Sequence, residues 1–173
     1  GWTLHSADVS EAFLRGLTFE ELAKQPGEVH RDVQLQLPPG ATPLLQQLPG
    51  MEDFSEINEA LDMLRPGYGL KDAPRLWALA LSAALAELGL KPVKSDCQLF
   101  VLHRSGVLVL IMTMHVDDLK LAGNPAEVDK LIASLEKRFD KLKLEKGNFE
   151  HCGIVHAQDP QDFSITMHQN HYI

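Results

Sequence analysis

Two adjacent acids, Asp117 and Asp118, follow the most apolar run of the sequence, VLVLIMTMHV over residues 107–116. A third acid, Asp8, stands near the end of an alternating segment, WTLHSADV over residues 2–9. If the two predicted strands are neighbours in one sheet, Asp8 and Asp117 would repel each other unless a cation lies between them. Carboxylate oxygens suit Mg²⁺, and two such ions about 3.5–4 Å apart support in-line phosphoryl transfer, the chemistry of polymerases and nucleases.

Paired aspartates in a loop usually have a simpler role, because their side chains bond the local backbone of a turn. Three features favour a site here. The pair is not flanked by Gly or Asn, the preceding strand is apolar enough to be central in a sheet, and Asp8 ends another predicted strand.

The elements that must position these acids are strands. The period-two pattern of residues 2–9 places Trp2, Leu4, Ser6 and Asp8 on one face of a strand. Residues 97–104 and 107–116 are predicted to be a strand pair joined through Ser105-Gly106, and residues 119–123 return as another strand. The acids then lie at the tip of a hairpin.

Three helices are predicted. Thr18 and Glu21 have capping-box spacing, which indicates a short helix. Residues 74–88 are apolar nearly all round and predict a buried helix. A further helix begins at Asn124, Pro125 and Glu127 and is predicted to cover the sheet with one apolar face, made by Val128, Leu131, Ile132, Leu135 and Phe139.

Two segments are predicted to be irregular or to lie outside the main sheet. Residues 36–50 are rich in Pro and Gly and predict a loop. Residues 149–158 and 163–169 predict a last hairpin with DPQD as its turn.

Composition indicates one folded domain, or part of a larger protein, because 45% of the 173 residues are hydrophobic. The net charge of −8 argues against a simple basic nucleic-acid binder. Residues 1–63 hold eleven acids against three bases, whereas residues 64–173 hold thirteen of each, so a polyanion should meet the later part. Its basic residues cluster at Lys137, Arg138, Lys141, Lys143 and Lys146, which we interpret as a solvated helix face.

Cysteine, histidine and serine chemistry is not favoured. The two cysteines do not make a disulfide framework, so a reducing interior is expected, and no apolar run is long enough to span a membrane. His151, Cys152 and His156 are close in sequence, but Cys152 lies on a predicted strand and no fourth zinc ligand follows at usual spacing. We interpret them as ordinary hairpin residues, and no Ser-His triad is evident.

Three motifs occur in order: DVSEAFLRG over residues 8–16, YGLKDAPRLW over 68–77 and HVDD over 115–118. Together they resemble the reverse transcriptase of Ty1/copia-type retrotransposons, in which the strings run approximately DVxxAFLxG, YGLKQAPRxW and YVDD. The resemblance extends through ELGLKPVKSDCQLFV, GNFEHCGI and MHQNHYI and covers nearly the whole chain.

The resemblance implies an α+β fold, a polymerase palm with an antiparallel sheet backed by helices, with partial fingers and no thumb. It implies that Asp8 and Asp117 are the principal ligands of two Mg²⁺ ions, for which Mn²⁺ can substitute, and that Asp118 is the third acid. Because consecutive side chains on a strand point to opposite faces, only the turn could bring both Asp117 and Asp118 inward.

The resemblance also implies a nucleotide and template site. Phe13, next to Ala12 in the first motif, would close the sugar pocket, where its ring would clash with a ribose 2′-hydroxyl. Tyr68, Gly69, Lys71 and Arg75 belong to the implied template and incoming-nucleotide segment. Spacing alone would make Phe13 a core aromatic and the basic side chains solvated, and Trp77 is expected in the core.

The implied organisation is a reverse transcriptase fragment. Residues 1–33 carry the first catalytic strand and the following helix, 34–63 are a loop-rich insertion, 64–148 carry the template and nucleotide segment and the catalytic hairpin, and 149–173 form a terminal hairpin. Gly1 is not a start methionine and no signal peptide is visible, so the chain is expected to be cut from something longer.

The implied partners are an RNA or DNA template-primer, deoxynucleoside triphosphates and the remainder of a Pol polyprotein, including thumb, RNase H and integrase, with no membrane. The implied location is a cytoplasmic virus-like particle or the nucleus, without secretion.

Two functional hypotheses remain open. The chain is an RNA-directed DNA polymerase fragment, or it is a decayed or repurposed palm that only folds or binds nucleic acid, without catalysis. The second is favoured by the expected truncation, by His115, which stands where the family has Tyr, and by CGIVHA in place of a more regular apolar strand. Asp72 in place of Gln is a further departure from the family pattern.

Overall fold

The computed structural model describes residues 1–170, which form antiparallel sheets with helices packed against the largest of them. The strands are β1 (Leu4–Val9), β2 (Gln34–Leu35), β3 (Leu61–Asp62), β4 (Lys91–Val93), β5 (Asp96–Arg104), β6 (Val107–His115), β7 (Asp118–Gly123), β8 (Leu142–Lys146), β9 (Asn148–His151), β10 (Ile154–Gln158) and β11 (Ile165–His168). The helices are α1 (Phe19–Ala23), α2 (Thr42–Leu45), α3 (Ala73–Glu87) and α4 (Pro125–Phe139), and a 3₁₀ turn spans Ala12–Arg15. The predicted α+β class with antiparallel pairing is confirmed.

The main sheet has the strand order β4-β5-β6-β7-β1-β8, so the first strand of the chain lies inside the sheet. The hairpin of β6 and β7 is therefore a direct neighbour of β1, and all pairings in this sheet are antiparallel. The predicted strand pair through Ser105-Gly106 and the predicted return strand after the acids are both present. This topology places the end of β1 beside the tip of the hairpin.

The core lies between this sheet and helices α3 and α4. The predicted apolar face of α4 is buried at every one of its positions, Val128, Leu131, Ile132, Leu135 and Phe139. Burial of each apolar side chain of this size stabilises the fold by about 1.5–3 kcal/mol relative to leaving it exposed. The five side chains together therefore hold the helix against the sheet.

The helix predicted over residues 74–88 is present as α3, and it is buried along one face. This face packs in the core through Trp77, Leu81, Leu85 and other residues, but Ala83 and Ala86 on another side are exposed. Alanine makes a helix apolar in composition without giving it much surface to bury, so the apolar residues did not reveal the solvent face.

Helix α1 begins with the predicted capping box. The Thr18 hydroxyl accepts from the Glu21 backbone N–H at 3.0 Å, and the Glu21 carboxylate accepts from the Thr18 backbone N–H at 2.8 Å. Such a cap contributes about 1 kcal/mol, which a helix of five residues needs.

The segment predicted as a loop over residues 36–50 contains the short helix α2, all of it outside the buried core. Strands β2 and β3 pair on either side of this helix and close the segment at its base. A four-residue helix that begins beside Pro43 is too short for apolar periodicity to predict.

The C-terminal strands form a second sheet in the order β11-β10-β9. Residues 149–158 were predicted to be one strand, but they form two, joined by a turn at Cys152-Gly153. Both turn residues have positive φ, 50° and 74°, as a type I′ turn requires. The predicted DPQD turn then connects β10 to β11. Residues 171–173, the end of the MHQNHYI motif, lie outside the described residues.

Within residues 1–170, no helix is long and apolar enough to cross a membrane.

Candidate active site

Asp8 and Asp118 lie directly opposite each other on the neighbouring strands β1 and β7. Residues that are paired in an antiparallel ladder project to the same side of the sheet, with Cβ atoms about 4.5–5.5 Å apart. The alternate residues of β1 and β7, Ala7 and Leu119, are fully buried, so the acids occupy the face away from the helical core. Their carboxylates therefore share one partly exposed face.

Asp117 reaches the same strand end from the turn of the hairpin. It follows Val116 between β6 and β7, and its backbone carbonyl accepts a hydrogen bond from the Val9 N–H at 3.2 Å. This bond ties the turn to β1 just after Asp8. The structure thus brings all three predicted acids to one place, with Asp118 rather than Asp117 as the register partner of Asp8.

The three acids act on one another electrostatically. Burial raises the pKa of Asp8 above its usual value, and the charges of Asp117 and Asp118 raise it further, against the lowering effect of Lys143. A hard cation would remove this repulsion, because carboxylate oxygens are the ligands that Mg²⁺ prefers. The donor set therefore fits a divalent metal.

Trp77 holds the turn that carries Asp117. Its side chain is 1% exposed in the core, as predicted, and its indole Nε1 donates to the Val116 carbonyl at 2.6 Å. Val116 has φ of 56°, a conformation that a β-branched residue rarely adopts. The sequence did not indicate this contact, although a buried tryptophan N–H needs an acceptor and only the fold shows which one.

Two of the predicted nucleotide-binding residues are in contact. The rings of Phe13 and Tyr68 lie 5.0 Å apart, centroid to centroid, at an angle of 51°. Phe13 is half-buried in the 3₁₀ turn that follows Asp8, Ala12 beside it is buried, and Tyr68 is exposed. The pair forms an aromatic surface that is open to solvent on the Tyr68 side.

The other predicted binding residues of the 68–77 motif differ in whether they are available to a ligand. Gly69 has φ of 96°, and a Cβ there would meet nothing within 4 Å, so backbone conformation and not close packing requires the glycine. Lys71 is exposed and has no ion pair within the described residues. Arg75, in contrast, is ion-paired with Glu28. In the part of the chain that the structure describes, Lys71 has no competing ion partner, whereas Arg75 would have to exchange the Glu28 carboxylate for a phosphate.

The basic cluster was interpreted as one helix face, and this interpretation is wrong. Lys137 and Arg138 end helix α4, but Lys143 and Lys146 belong to strand β8. Lys143 is the register partner of Asp8 on the side opposite Asp118. The sequence missed this lysine because only strand pairing places it beside the acids.

Two further groups border the acids. His115 is exposed and pairs with Asp118 across the hairpin. Cys152 was expected on a strand, but it lies in the β9–β10 turn with its Sγ 3.9 Å from Asp118 Oδ2. Burial, followed by the charge of Asp118, raises the pKa of the Cys152 thiol.

The matches to known proteins agree with this geometry. Residues 40–173 match the family model described as reverse transcriptase (RNA-dependent DNA polymerase). The chain belongs to this reverse transcriptase family, whose members are nucleotidyltransferases.

Relatives extend the similarity to β1, which the family match does not include. The chain is 30% identical, over 99% of its length, to the Retrovirus-related Pol polyprotein from transposon RE1 of Arabidopsis thaliana. It is 28% identical, over 96% of its length, to the corresponding polyprotein from transposon RE2 of the same plant. The chain spans about a tenth of the length of each of these relatives, 10% in both cases. The resemblance to retrotransposon Pol sequences is thereby confirmed.

Proposed function

We propose that this chain is the palm of an RNA-directed DNA polymerase of the Ty1/copia type. The observation that carries the proposal is the pairing of Asp8 with Asp118, with Asp117 tied to the end of the same strand. A structural role does not explain this arrangement, because like charges placed directly opposite each other on a sheet are destabilising.

In the proposed reaction the primer 3′-hydroxyl attacks the α-phosphate of a deoxynucleoside triphosphate, and pyrophosphate leaves. Asp8, Asp117 and Asp118 would hold two Mg²⁺ ions. When bound, these ions supply Lewis-acid activation of the attacking hydroxyl and charge stabilisation at the leaving oxygen. The rest of the site keeps the carboxylates in place, through the Trp77 bond to the turn and the Val9 bond to Asp117.

The aromatic pair is proposed to select the sugar. Phe13 lies in the 3₁₀ turn that follows β1, and its ring contacts the ring of Tyr68. A 2′-hydroxyl on the incoming nucleotide would meet the Phe13 ring, so deoxynucleotides are favoured. Ala12, the residue before Phe13, is buried in the core. Gly69 and Lys71 are proposed to contact the template or the nucleotide phosphates.

The same proposal assigns parts of the chain to the palm and the fingers. The main sheet with α3 and α4 is the palm, and the insertion over residues 34–63 and the start of the motif at residue 68 belong to the fingers. Partners of such a palm are a template-primer, deoxynucleoside triphosphates and the other domains of a Pol polyprotein.

A second candidate is a decayed or repurposed palm that only folds, or binds nucleic acid, without catalysis. Arg75 in the proposed template segment is paired with Glu28 and Arg31 is paired with Asp72, so these two arginines are not free cations for the template or nucleotide phosphates that polymerisation needs. His115 beside the acids is the other departure from the family pattern.

Extension of a labelled DNA primer on an RNA template, with Mg²⁺ and deoxynucleotides, separates the two candidates. We expect extension by the wild-type chain, none by Asp117→Asn, and wild-type extension by the control Asp53→Asn. Asp53 is exposed, and no hydrogen bond or ion pair of its side chain occurs within the described residues. If the wild-type chain binds template-primer but does not extend it, the second candidate replaces the first.

A further inference from the structure

Three side chains of different chemistry meet where the two sheets approach each other. Asp118 begins β7 of the main sheet, His151 ends β9 of the second sheet, and Cys152 occupies the turn that follows. The carboxylate, imidazole and thiol ligand atoms all lie within 4.8 Å of one another. Within this cluster, Cys152 Sγ lies 3.9 Å from Asp118 Oδ2.

His151 has a buried nitrogen without a partner. The residue is 7% exposed. Among the buried side-chain nitrogen and oxygen atoms of residues 1–170, its Nδ1 is the one that has no hydrogen-bond partner. An unpaired buried polar atom costs about 1–3 kcal/mol, so the position of this nitrogen calls for an explanation, and a bound ion is one. The proposed polymerase chemistry does not use this imidazole.

A carboxylate, an imidazole and a thiolate together suit Zn²⁺, which is a borderline-soft metal ion. Zinc binds imidazole nitrogen at about 2.0–2.1 Å, thiolate sulfur at about 2.3 Å and carboxylate oxygen at about 2.0–2.2 Å. Ligand atoms around a tetrahedral ion are then roughly 3.3–3.8 Å apart, so the 4.8 Å cluster must contract by about 1 Å. Cys152 is exposed on a two-residue turn, which leaves its side chain room to move and water access to a fourth position.

We propose that Asp118, His151 and Cys152 bind Zn²⁺, with water as the fourth ligand. Binding forms a zinc–sulfur bond and releases the thiol proton to water. His156 is not a ligand, because its Nδ1 lies 2.9 Å from the Ile154 carbonyl and its Nε2 lies 3.5 Å from Lys120 Nζ. The nearby Lys120 charge opposes a cation, so we expect micromolar rather than nanomolar affinity.

The proposed zinc site uses other ligand types than the proposed Mg²⁺ site, but the two sites share Asp118. Occupied by zinc, it would withdraw one oxygen ligand from the proposed Mg²⁺ site and join β7 to the second sheet. Zinc should therefore inhibit primer extension, a consequence that rests on the proposed function. The binding itself does not rest on it.

Cobalt titration of the untagged, reduced chain tests the site directly, because Co²⁺ replaces Zn²⁺ and a thiolate–cobalt bond absorbs in the near ultraviolet. We expect this band in the wild type and in Cys97→Ser, and its displacement by Zn²⁺. Cys97 is the matched control, since it is the other free, exposed cysteine. Cys152→Ser should lose the band, and His151→Gln should keep the thiolate but bind about tenfold or more weakly.

A band that persists in Cys152→Ser, or that disappears in Cys97→Ser, would overturn the proposal. So would equal affinity of His151→Gln and the wild type. Near-ultraviolet circular dichroism of each variant without metal separates a lost ligand from a lost fold, and Asp118→Asn gives a second ligand variant on the other sheet. Because none of these readouts uses polymerase activity, failure of zinc binding and failure of primer extension are distinguishable.

Discussion

Replacing Asp8 with Asn should make the protein more stable when no divalent metal is present. Asp8 faces Asp118 across the β1–β7 ladder, and its carboxylate accepts no hydrogen bond within the described residues. Asn keeps the size of the side chain and removes the charge. The substitution therefore removes a repulsion without removing a contact.

The magnitude follows from the register. Two unit charges about 5 Å apart interact by about 3 kcal/mol at an effective dielectric of about 20. Asp8 and Asp118 are both partly exposed, and Lys143 on the other side of Asp8 offsets part of the repulsion. Cross-strand pairs of this kind are worth about 0.2–1 kcal/mol, so we expect Asp8→Asn to raise the unfolding free energy by about 0.5–1 kcal/mol.

Magnesium should reverse the order of stability. With a dissociation constant of about 1 mM, about 10 mM Mg²⁺ would stabilise the wild type by about 1.4 kcal/mol. Asp8→Asn lacks one ligand and should gain much less. The wild type then becomes the more stable of the two.

Urea unfolding with and without Mg²⁺, at low and at high salt, measures both effects. Asp53→Asn is the matched control, and it should change stability by less than about 0.5 kcal/mol in every condition. High salt should reduce the gain of Asp8→Asn without metal, because the acids are partly exposed. The reasoning is refuted if Asp8→Asn is destabilising without metal, or if Mg²⁺ stabilises both proteins equally.

Three further predictions concern the surroundings of the site. Trp77→Phe should lower the unfolding free energy by about 2–3 kcal/mol in urea titrations, because it removes the bond to Val116 and leaves a core cavity; an unchanged stability would contradict the role of that bond. Gly69→Ala should lower it by about 1 kcal/mol through its positive φ alone, so a larger loss would indicate a contact that the structure does not contain. Burial and the Lys146 charge hold the pKa of His5 below its usual 6.5, so stability should fall as the pH drops through this value. His5→Gln should weaken that fall in unfolding measured at about pH 7.5 and about pH 5.5, and an identical pH dependence would contradict it.

The hairpin and its covering helix could be predicted because their patterns are local and strong. The apolar run up to His115 predicts a central strand, and the spacing of Val128, Leu131 and Leu135 predicts one buried helix face. The capping box of α1 is likewise a contact between residues three apart. In each case the residues that decide the structure lie within one element or one turn.

Two errors arose because the pattern of a run does not show where the chain turns or which strand the run joins. Cys152-Gly153 interrupts a run that alternates well enough to be one strand, because a type I′ turn changes the chain direction within two residues. Lys143 was interpreted as a helix residue, since a charged side chain in a basic run does not indicate which strand it will join.

The sequence predicted which acids form the candidate site, but not how they are arranged or which residues hold them. The motifs identify Asp8, Asp117 and Asp118, and strand direction alone suggested that Asp118 would face away from the other two. Because Asp117 lies in the turn, the strand alternation begins only at Asp118, which then faces Asp8. The Trp77 bond to the turn and the contribution of Asp118 to the His151 and Cys152 cluster need the folded chain.

The most direct test of the central claim is Mn²⁺ binding, followed by the loss of the electron paramagnetic resonance signal of the free ion. If the three carboxylates form one hard-metal site, Asp8→Asn, Asp117→Asn and Asp118→Asn should each bind Mn²⁺ about tenfold or more weakly than the wild type. Asp53→Asn and His151→Gln should bind it as the wild type does, because the hard ion does not need an imidazole. Equal binding by the wild type and all three aspartate variants would contradict the account.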